Sequence, residues 1–306
     1  MGFKNGLLVV SILASGCAVP LTLDNDNASV VMPLELGDEG HIIVQATIDG
    51  QGPFDFALDT GASISVIFEA TREQAGLEPV EGGRVAIQGM VGAGVFPMMT
   101  IAELKIGSES WTNARVALLP ADNSASGQLD GILGVDFLRR YAIGVSPRDK
   151  VVRLYPPQLV SERSYRGWTS IPMQELQIGK GGASAYTIAL HISEIEIPAM
   201  LDLGAGSNLM NWHTARAIRV EPRKSEPGTE ISGAVETVPV LAELKVEELR
   251  IEDLLWRNRT FLISDFPIFK ALDLESRLVA IIGPSLFNER DFIIDFERKR
   301  MLIGEK

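Results

Sequence analysis

The sequence has one cysteine, few histidines and no long apolar run, and each shortage excludes a class of protein. Because Cys17 is the only cysteine among 306 residues, no disulfide can form within the chain. The three histidines, His41, His191 and His213, share no metal-ligand spacing, so we expect surface or packing roles and no metal site. No stretch reaches the roughly 18 apolar residues of a membrane-spanning helix.

Positive charge is also scarce. The 28 lysines and arginines stand against 40 aspartates and glutamates, which gives a formal net charge of −12. A nucleic-acid-binding protein needs a basic face, so that function is not expected. The acidic residues form no long run and are expected to cover a solvated surface. Apolar residues make up 46% of the chain, enough for the core of two modest domains or one large one.

Residues 1–20 have the pattern of a bacterial secretion signal. Lys4 gives a short positive start, and residues 7–15 form an apolar stretch too short to span a bilayer. Small residues then precede the cysteine in Ala14-Ser15-Gly16-Cys17. This segment resembles the lipobox of bacterial lipoproteins, in which that cysteine is lipidated and becomes the new N-terminus.

The lipoprotein resemblance implies a location. Residues 1–16 would be removed, Cys17 would carry the lipid anchor, and residues 17–27 would form a tether to the cell envelope, facing the periplasm. Ala18 follows the cysteine, which in lipoproteins favours the outer membrane over inner-membrane retention. The family usually has leucine at the position of Ala14. The alternative is an ordinary signal peptide with an incidental cysteine.

The body of the chain repeats itself. Asp59 and Asp202 begin two 21-residue segments that align without a gap and share six identical positions. Solenoid repeats run about 20–50 residues, so this longer period indicates two lobes produced by duplication. Four blocks recur in one order: residues 32–36 with 172–176, 59–79 with 202–222, 103–113 with 248–258, and 132–134 with 281–283.

Each copy is predicted to consist mostly of β-strands. Short β-rich apolar runs end at Asp-Gly and Gly-Pro turns, and one short helix per copy is predicted, at residues 68–76 and 211–219. Paired prolines and polar residues in segment 155–167 mark the boundary between the copies. The fold class is therefore predicted as all-β with short helices, in two β-barrel lobes over residues 28–160 and 161–306.

Residues 201–208, Leu-Asp-Leu-Gly-Ala-Gly-Ser-Asn, fit two kinds of site. A glycine loop of this type holds S-adenosylmethionine in methyltransferases, but it requires alternating strands and helices, and Asn208 stands at the third glycine position. The matching stretch of the first copy reads Asp-Thr-Gly-Ala-Ser, which is no nucleotide loop. The methyltransferase is kept as a remote alternative.

Residues 56–63, Phe-Ala-Leu-Asp-Thr-Gly-Ala-Ser, resemble the catalytic loop of the aspartic proteases. Residues 132–134 and 281–283 resemble the apolar-apolar-glycine segment that passes beneath that loop. The chain is similar to the bacterial retropepsin-like aspartyl proteases, here with both lobes in one polypeptide. The resemblance implies an endopeptidase that cuts envelope polypeptides, needs no cofactor and acts as a monomer.

The same resemblance assigns the site. Asp59 and Asp202 would share one proton, the charged member activating a water and the protonated member polarising the peptide carbonyl and supplying the leaving nitrogen with a proton. A hairpin over residues 84–99 would close over the substrate as a flap, and the alternative is a plain surface hairpin. The loop-supporting residues would be Thr60, Gly61, Ala62, Ser63, Leu203, Gly204 and Ala205, and the flap contacts Gly89, Met90, Val91 and Gly92.

Three features depart from the family pattern. Leu203 stands where a second threonine would complete a hydrogen-bonded brace between the loops, and Gly206 matches Ser63. Ala62 and Ala205 replace the serine or threonine of pepsins. These departures support a second hypothesis, a catalytically inactive, peptide-binding protein with the same fold.

Overall fold

The computed structural model describes residues 27–37, 40–88, 93–120, 129–160, 165–178, 183–226, 228–232 and 237–304. The predicted signal segment 1–16 and the lipidation residue Cys17 lie outside these ranges. Among the residues described, no helix combines the length and the apolar character needed to cross a membrane.

The first copy contains eleven strands and two short helices within the described ranges. In chain order they are β1 Val30–Pro33, β2 Glu35–Leu36, β3 Ile42–Ile48, β4 Gln51–Leu58, β5 Val66–Phe68, α1 Glu69–Ala75, β6 Pro79–Gln88, β7 Ala93–Ile106, β8 Glu109–Leu119, β9 Gly131–Leu133, α2 Val135–Leu138, β10 Ala142–Ser146 and β11 Val151–Tyr155.

The second copy has a similar order of elements, with two further strands and with its second helix before the strand β22 that corresponds to β9. It comprises β12 Thr169–Pro172, β13 Gln174–Ile178, β14 Ala183–Ile192, β15 Ile195–Leu201, β16 Leu209–Met210, α3 Trp212–Ala217, β17 Arg223–Lys224, β18 Glu230–Ser232, β19 Thr237–Pro239, β20 Ala242–Ile251, β21 Leu254–Ile263, α4 Pro267–Ala271, β22 Ala280–Ile282, β23 Phe292–Asp295 and β24 Arg300–Ile303. Single 3₁₀ turns lie at Pro157–Leu159 and Pro284–Phe287.

Each copy forms an eight-stranded sheet that curls on itself. The first sheet has the order β2-β3-β4-β9-β5-β8-β7-β6, with an extra β3–β7 pairing that closes the curl. The second has the order β13-β14-β15-β22-β16-β21-β20-β17, closed by β14–β20. The two orders match strand for strand, so the protein is an all-β molecule of two barrel-like lobes, as the sequence predicted.

A third sheet joins the lobes. Its six strands run in the order β1-β11-β10-β23-β24-β12, and the antiparallel pair β10–β23 lies at the junction of the two copies. All five residues of β10 and all four of β23 are buried, so this junction belongs to the core and not to the surface.

The predicted helices form for local reasons. The helix α1 ends at Gly76, whose left-handed backbone (φ 63°) accommodates a C-cap without steric cost. The helix α3 begins at Asn211, whose side chain accepts a hydrogen bond of 2.8 Å from the Thr214 backbone N–H. The repeated tryptophans pack inside their lobes, Trp111 against Phe137 and Trp256 against Phe287.

Candidate active site

The two aspartates occupy equivalent places at the ends of equivalent strands. Asp59 follows β4 and its backbone N–H donates to the Leu133 carbonyl at 3.0 Å. Asp202 follows β15 and donates in the same way to Ile282, also at 3.0 Å. In the first lobe the accepting strand β9 pairs with β4, which precedes the loop, and with β5, which follows it. In the second lobe β22 pairs in the same way with β15 and β16. The repeated apolar-apolar-glycine segment therefore fixes where each carboxyl emerges.

The glycines of these segments are required by close packing beneath the loops. A Cβ added to Gly134 would lie 2.7 Å from the Ala62 carbonyl oxygen, and one added to Gly283 would strike the Ala205 carbonyl oxygen. The Val135 N–H also donates to the Ala62 carbonyl at 2.8 Å. Ala62 and Ala205 thus hold their loops through backbone atoms, whereas Ser63 is partly exposed beside the first loop.

The structure brings the two aspartate loops together. The side chains of Asp59 and Asp202 are hydrogen-bonded to each other, and both are partly exposed. A Cβ on Gly61 would lie 2.6 Å from Asp202 Oδ2, and a Cβ on Gly204 would lie 2.5 Å from Asp59 Cγ. Only glycine leaves room for the opposite carboxyl at these two positions.

Backbone donors orient each carboxyl. Asp59 Oδ1 accepts from the N–H groups of Gly61 at 2.7 Å and Ala62 at 3.0 Å. Asp202 Oδ1 accepts from Gly204 N–H at 2.9 Å. Each loop thus turns its own amides toward its own aspartate, which favours the ionised form of whichever carboxyl carries the charge.

Thr60 connects the loops across the lobe interface. Its Oγ1 donates to the Leu201 carbonyl at 2.8 Å and accepts from the Leu203 N–H at 3.0 Å. Leu203 supplies no hydroxyl in return, and its side chain is buried in the core. The brace is therefore one-sided, yet the Leu203 backbone still takes part in it.

The half-buried carboxyl of Asp136 supports the first loop from below, and sequence reasoning did not anticipate it. Asp136 Oδ1 accepts from the Ser65 hydroxyl at 2.7 Å and from its backbone N–H at 3.0 Å, and the Ser65 hydroxyl accepts from Gly134 N–H at 3.0 Å. Burial raises the pKa of Asp136. The aligned repeat could have drawn attention to Ser65 and Asp136, because neither is preserved in the second copy.

The second loop has a different support. Asn208 replaces Ser65, and its Oδ1 accepts from Gly283 N–H at 3.2 Å. Ser285 replaces Asp136, and its buried hydroxyl has no hydrogen-bond partner among the described residues. The two halves of the site are therefore similar in backbone and unlike in the polar groups beneath it.

The two aspartates differ in the interactions that shift their pKa values. Burial raises the pKa of Asp202 well above its ordinary value, and the negative charge of Asp59 and their mutual hydrogen bond raise it further. Burial also raises the pKa of Asp59, but the hydrogen bonds from Asp202, Gly61 and Ala62, and the charge of His41, oppose that rise. The pair is thus arranged to hold one proton between the two carboxyls and to titrate as a unit.

His41 is a site neighbour that sequence reasoning did not single out. Its side chain is buried, as a packing role predicted, but it lies close enough to influence Asp59. It lies in the turn before β3, where its carbonyl accepts from Gly37 N–H at 3.0 Å, and the scattered spacing of the three histidines does not reveal this position.

The predicted flap is described only in part. The strands β6 and β7 pair as far as Gln88 and Ala93, and the equivalent hairpin of the second copy is β18–β19. The four predicted contact residues, Gly89, Met90, Val91 and Gly92, lie outside the described residues. Within the described residues, no group of three or more histidine, cysteine, aspartate or glutamate side chains could hold a metal ion.

A comparison with known protein families finds a match around the first aspartate loop. Residues 44–137 match the aspartyl protease family model. The aspartyl protease match takes in Asp59, the loop after it, the β6–β7 hairpin and Asp136, and it ends before the second copy begins. No curated protein matches the chain.

Among solved structures, the chain is similar to conglutin gamma, a unique basic 7S globulin from lupine seeds. The TM-score is 0.55 at 10% sequence identity, over 90% of this chain and 95% of the globulin chain. The similarity extends beyond the aspartyl protease match to both lobes. At so low an identity it shows the fold alone.

Proposed function

We propose that the protein is an aspartic endopeptidase in which Asp59 and Asp202 together activate a water for attack on a peptide carbonyl. The observation that carries the proposal is the pair of carboxyls, one from each copy, hydrogen-bonded to each other and facing the glycine of the opposite loop. Two carboxyls this close cannot both ionise cheaply, so they share one proton. The aspartyl protease match over residues 44–137 supports the same chemistry for the first loop.

In the proposed reaction Asp59, as the charged member, accepts a proton while the water oxygen bonds to the peptide carbon. Asp202, as the protonated member, donates a hydrogen bond to the carbonyl oxygen and stabilises its developing charge. When the carbon–nitrogen bond breaks, the Asp202 proton passes to the leaving nitrogen. The proton held by Asp59 then moves across the hydrogen bond to Asp202, which restores the starting state.

The proposed substrate is an extended polypeptide with apolar side chains on both sides of the cut bond. Each loop is flanked by an apolar cluster that continues into the hairpin of its lobe. The outer members of these clusters are only partly buried, so their apolar surface is available to a substrate. They are Ile64, Val85, Ile87 and Phe96 in the first lobe and Ile231 and Val238 in the second.

A direct assay tests this function. Purified protein incubated with a reduced, denatured polypeptide and with labelled S-adenosylmethionine is expected to release peptides, detected by mass spectrometry, and to transfer no label. Methyl transfer would require the glycine loop to run from a strand into a helix. The loop after Asp202 runs instead into the short strand β16 of an all-β lobe. Label on the polypeptide without cleavage would overturn the proposal.

A second candidate function is peptide binding without hydrolysis, by a protein of the same fold. Leu203 leaves the brace between the loops one-sided, and the similar lupine structure is by its name a globulin, so the fold by itself does not imply hydrolysis. A peptide-binding protein would retain the denatured polypeptide on a column and release it intact. Cleavage in solution separates the two candidates.

We also propose that the protein is a lipid-anchored monomer in the bacterial cell envelope, facing the periplasm on the outer membrane, where envelope polypeptides are its substrates. The lipobox-like segment ending at Cys17 and the alanine after it support this location. Two or three acyl chains on one cysteine would hold the protein firmly, whereas one chain would be marginal.

Substituting the anchor cysteine tests the location. Cys17→Ser should leave an unlipidated precursor of higher mass, while the wild type partitions with membranes into detergent. Ser15→Ala keeps a small residue before the cysteine and should be processed like the wild type. Mass spectrometry of the N-terminal peptide and fractionation of the envelope measure both results. A wild type found freely soluble in the periplasmic extract would contradict the anchor.

A further inference from the structure

The carboxylate of Asp136 binds one residue of the first aspartate loop with both of its oxygens. Its Oδ1 accepts from the Ser65 hydroxyl at 2.7 Å and from the Ser65 N–H at 3.0 Å, and its Oδ2 accepts from the same N–H at 3.0 Å. The Phe137 N–H adds a bond of 2.9 Å to Oδ1. Hydrogen bonds to an ionised acceptor are about twice as strong as neutral ones. Ser65, which is completely buried, is therefore fixed by a charged group.

The hydrogen bonds continue from Ser65 to Asp59. The Ser65 Oγ accepts from the Gly134 N–H at 3.0 Å, and the next N–H along the chain, that of Val135, donates to the Ala62 carbonyl at 2.8 Å. The Ala62 N–H in turn donates to Asp59 Oδ1 at 3.0 Å. All these bonds have ordinary lengths. A displacement of Ser65 would therefore reach one of the amides that orient the Asp59 carboxyl.

The second copy interrupts the same series of bonds. The alignment of residues 132–134 with 281–283 sets Val135 opposite Pro284. Proline has no backbone N–H, so Pro284 cannot donate to the Ala205 carbonyl as Val135 donates to Ala62. The second loop packs closely on Gly283, where an added Cβ would collide with the Ala205 carbonyl oxygen. At this position the strand and the loop are thus in contact without the bond that joins them in the first copy.

The charged group is also replaced in the second copy. Ser285 stands at the position of Asp136, and its buried hydroxyl has no hydrogen-bond partner among the residues described. Asn208, in place of the serine, accepts from the Gly283 N–H at 3.2 Å and donates to the Thr260 carbonyl at 3.5 Å. These bonds join neutral groups and are longer than those around Asp136, so they hold the second loop less firmly.

We propose that Asp136 is a positioning residue for Asp59. By fixing Ser65, it holds the first loop in the conformation that directs the Ala62 N–H at the Asp59 carboxyl, and the second loop has no equivalent. One aspartate of the pair is therefore held by a charge-assisted series of bonds and the other mainly by packing. The kinetic consequence rests on the proposed peptide hydrolysis, but the effect on the Ala62 amide does not.

The first test follows amide hydrogen exchange by NMR in Asp136→Ala and in its counterpart Ser285→Ala. In Asp136→Ala the Ala62 N–H should exchange at least about tenfold faster, because Ser65 loses the acceptor that fixes it. Ser285→Ala removes a hydroxyl without a described partner, so Ala205 exchange should change by less than about twofold and the unfolding temperature should stay or rise. Unchanged exchange at Ala62 in folded Asp136→Ala would overturn the inference.

The second test separates positioning from substrate binding. In Asp136→Ala, kcat for a synthetic peptide should fall by about tenfold or more while KM changes by less than about twofold, because the displaced group acts in the reaction step. Asp136→Asn keeps an oxygen that can accept from Ser65, so both kcat and Ala62 exchange should recover to within about threefold of the wild type. A raised KM with normal kcat would contradict a positioning role.

A third variant serves if Asp136→Ala does not fold. Ser65→Ala keeps the bonds from the carboxylate to the N–H groups of residues 65 and 137 and removes only the hydroxyl link to Gly134. Exchange at Ala62 should again be faster than in the wild type. Wild-type exchange at Ala62 in Ser65→Ala would show that the series of bonds does not position the loop.

The readouts separate this inference from the proposed hydrolysis. Faster Ala62 exchange in Asp136→Ala, in a protein that cuts no polypeptide, would support the role of Asp136 and overturn the hydrolysis. Peptide cleavage whose kcat and Ala62 exchange are both unaffected by Asp136→Ala would support the hydrolysis and overturn the role of Asp136.

Discussion

Asp59→Asn and Asp202→Asn are each expected to abolish peptide cleavage, with kcat reduced by about 10³-fold or more. Each change removes a carboxyl that the other needs, since the charged member activates the water and the protonated member polarises the carbonyl. The two losses should not add, so the double variant should be no worse than either single one. Single-turnover cleavage of one synthetic peptide measures all three.

Folding of these variants provides the control. The pKa of Asp202 is raised in the folded protein, so the folded state binds more protons than the unfolded state between the unfolded and folded pKa values. Stability is therefore lost as pH rises through that interval, and Asp202→Asn should unfold at the same or a higher temperature than the wild type at neutral pH. A variant that is inactive because it is unfolded would instead have a lower unfolding temperature than the wild type.

The pattern of losses also distinguishes the arrangements. If Asp59→Asn is inactive and Asp202→Asn cuts normally, the second copy has no catalytic role, and the site must combine Asp59 from two chains. If both variants cut normally, the pair is not the catalytic site.

The pH profile of the wild type should be bell-shaped. Activity should fall on the acidic side as Asp59 becomes protonated and on the alkaline side as Asp202 loses its proton. Burial raises the pKa of both groups, so both limbs should lie at higher pH than ordinary carboxyls would give. Ala62 and Ala205 supply no hydroxyl to stabilise the charged form, which moves the expected optimum further from that of a pepsin.

Gly204→Ala is expected to reduce cleavage by about 10²-fold or more, the scale of a 1 Å displacement of reacting groups. The new methyl group would lie 2.5 Å from Asp59 Cγ, closer than carbon atoms approach without bonding, so the carboxyl must move. Gly61→Ala should act in the same way on Asp202, from 2.6 Å. Peptide cleavage and the ¹³C titration of the displaced carboxyl measure the effect.

A matched control is available at Gly50. Its backbone is left-handed (φ 79°) and no atom lies within 4 Å of an added Cβ, so Gly50→Ala should cost about 1 kcal/mol of stability and leave kcat unchanged. The pair of variants thus separates strain in the fold from displacement in the site. Full activity in Gly204→Ala would show that the two loops do not meet as described.

Local patterns in the sequence predicted most of the fold. The repeat predicted two lobes, and the strand orders of the two eight-stranded sheets match. The helices predicted at 68–76 and 211–219 appear as α1 Glu69–Ala75 and α3 Trp212–Ala217. These features depend on residues close together in the chain, where spacing and turn chemistry have predictive value.

The features that sequence reasoning did not anticipate depend on contacts between distant residues. The six-stranded sheet joins strands from both copies, and the bond between Ser65 and Asp136 spans 71 positions. The register in which two strands pair is set by such distant contacts, and no local pattern determines it.

The pairing of β10 with β23 has a consequence for assembly. These strands hold equivalent places in the two copies, so their contact has the geometry of a self-complementary dimer interface, but within one polypeptide. Formation of the aspartate pair is therefore independent of protein concentration, whereas a two-chain enzyme loses its site on dilution. Because the two halves are encoded separately, each can also change alone, and this chain has threonine in one aspartate loop where the other has leucine.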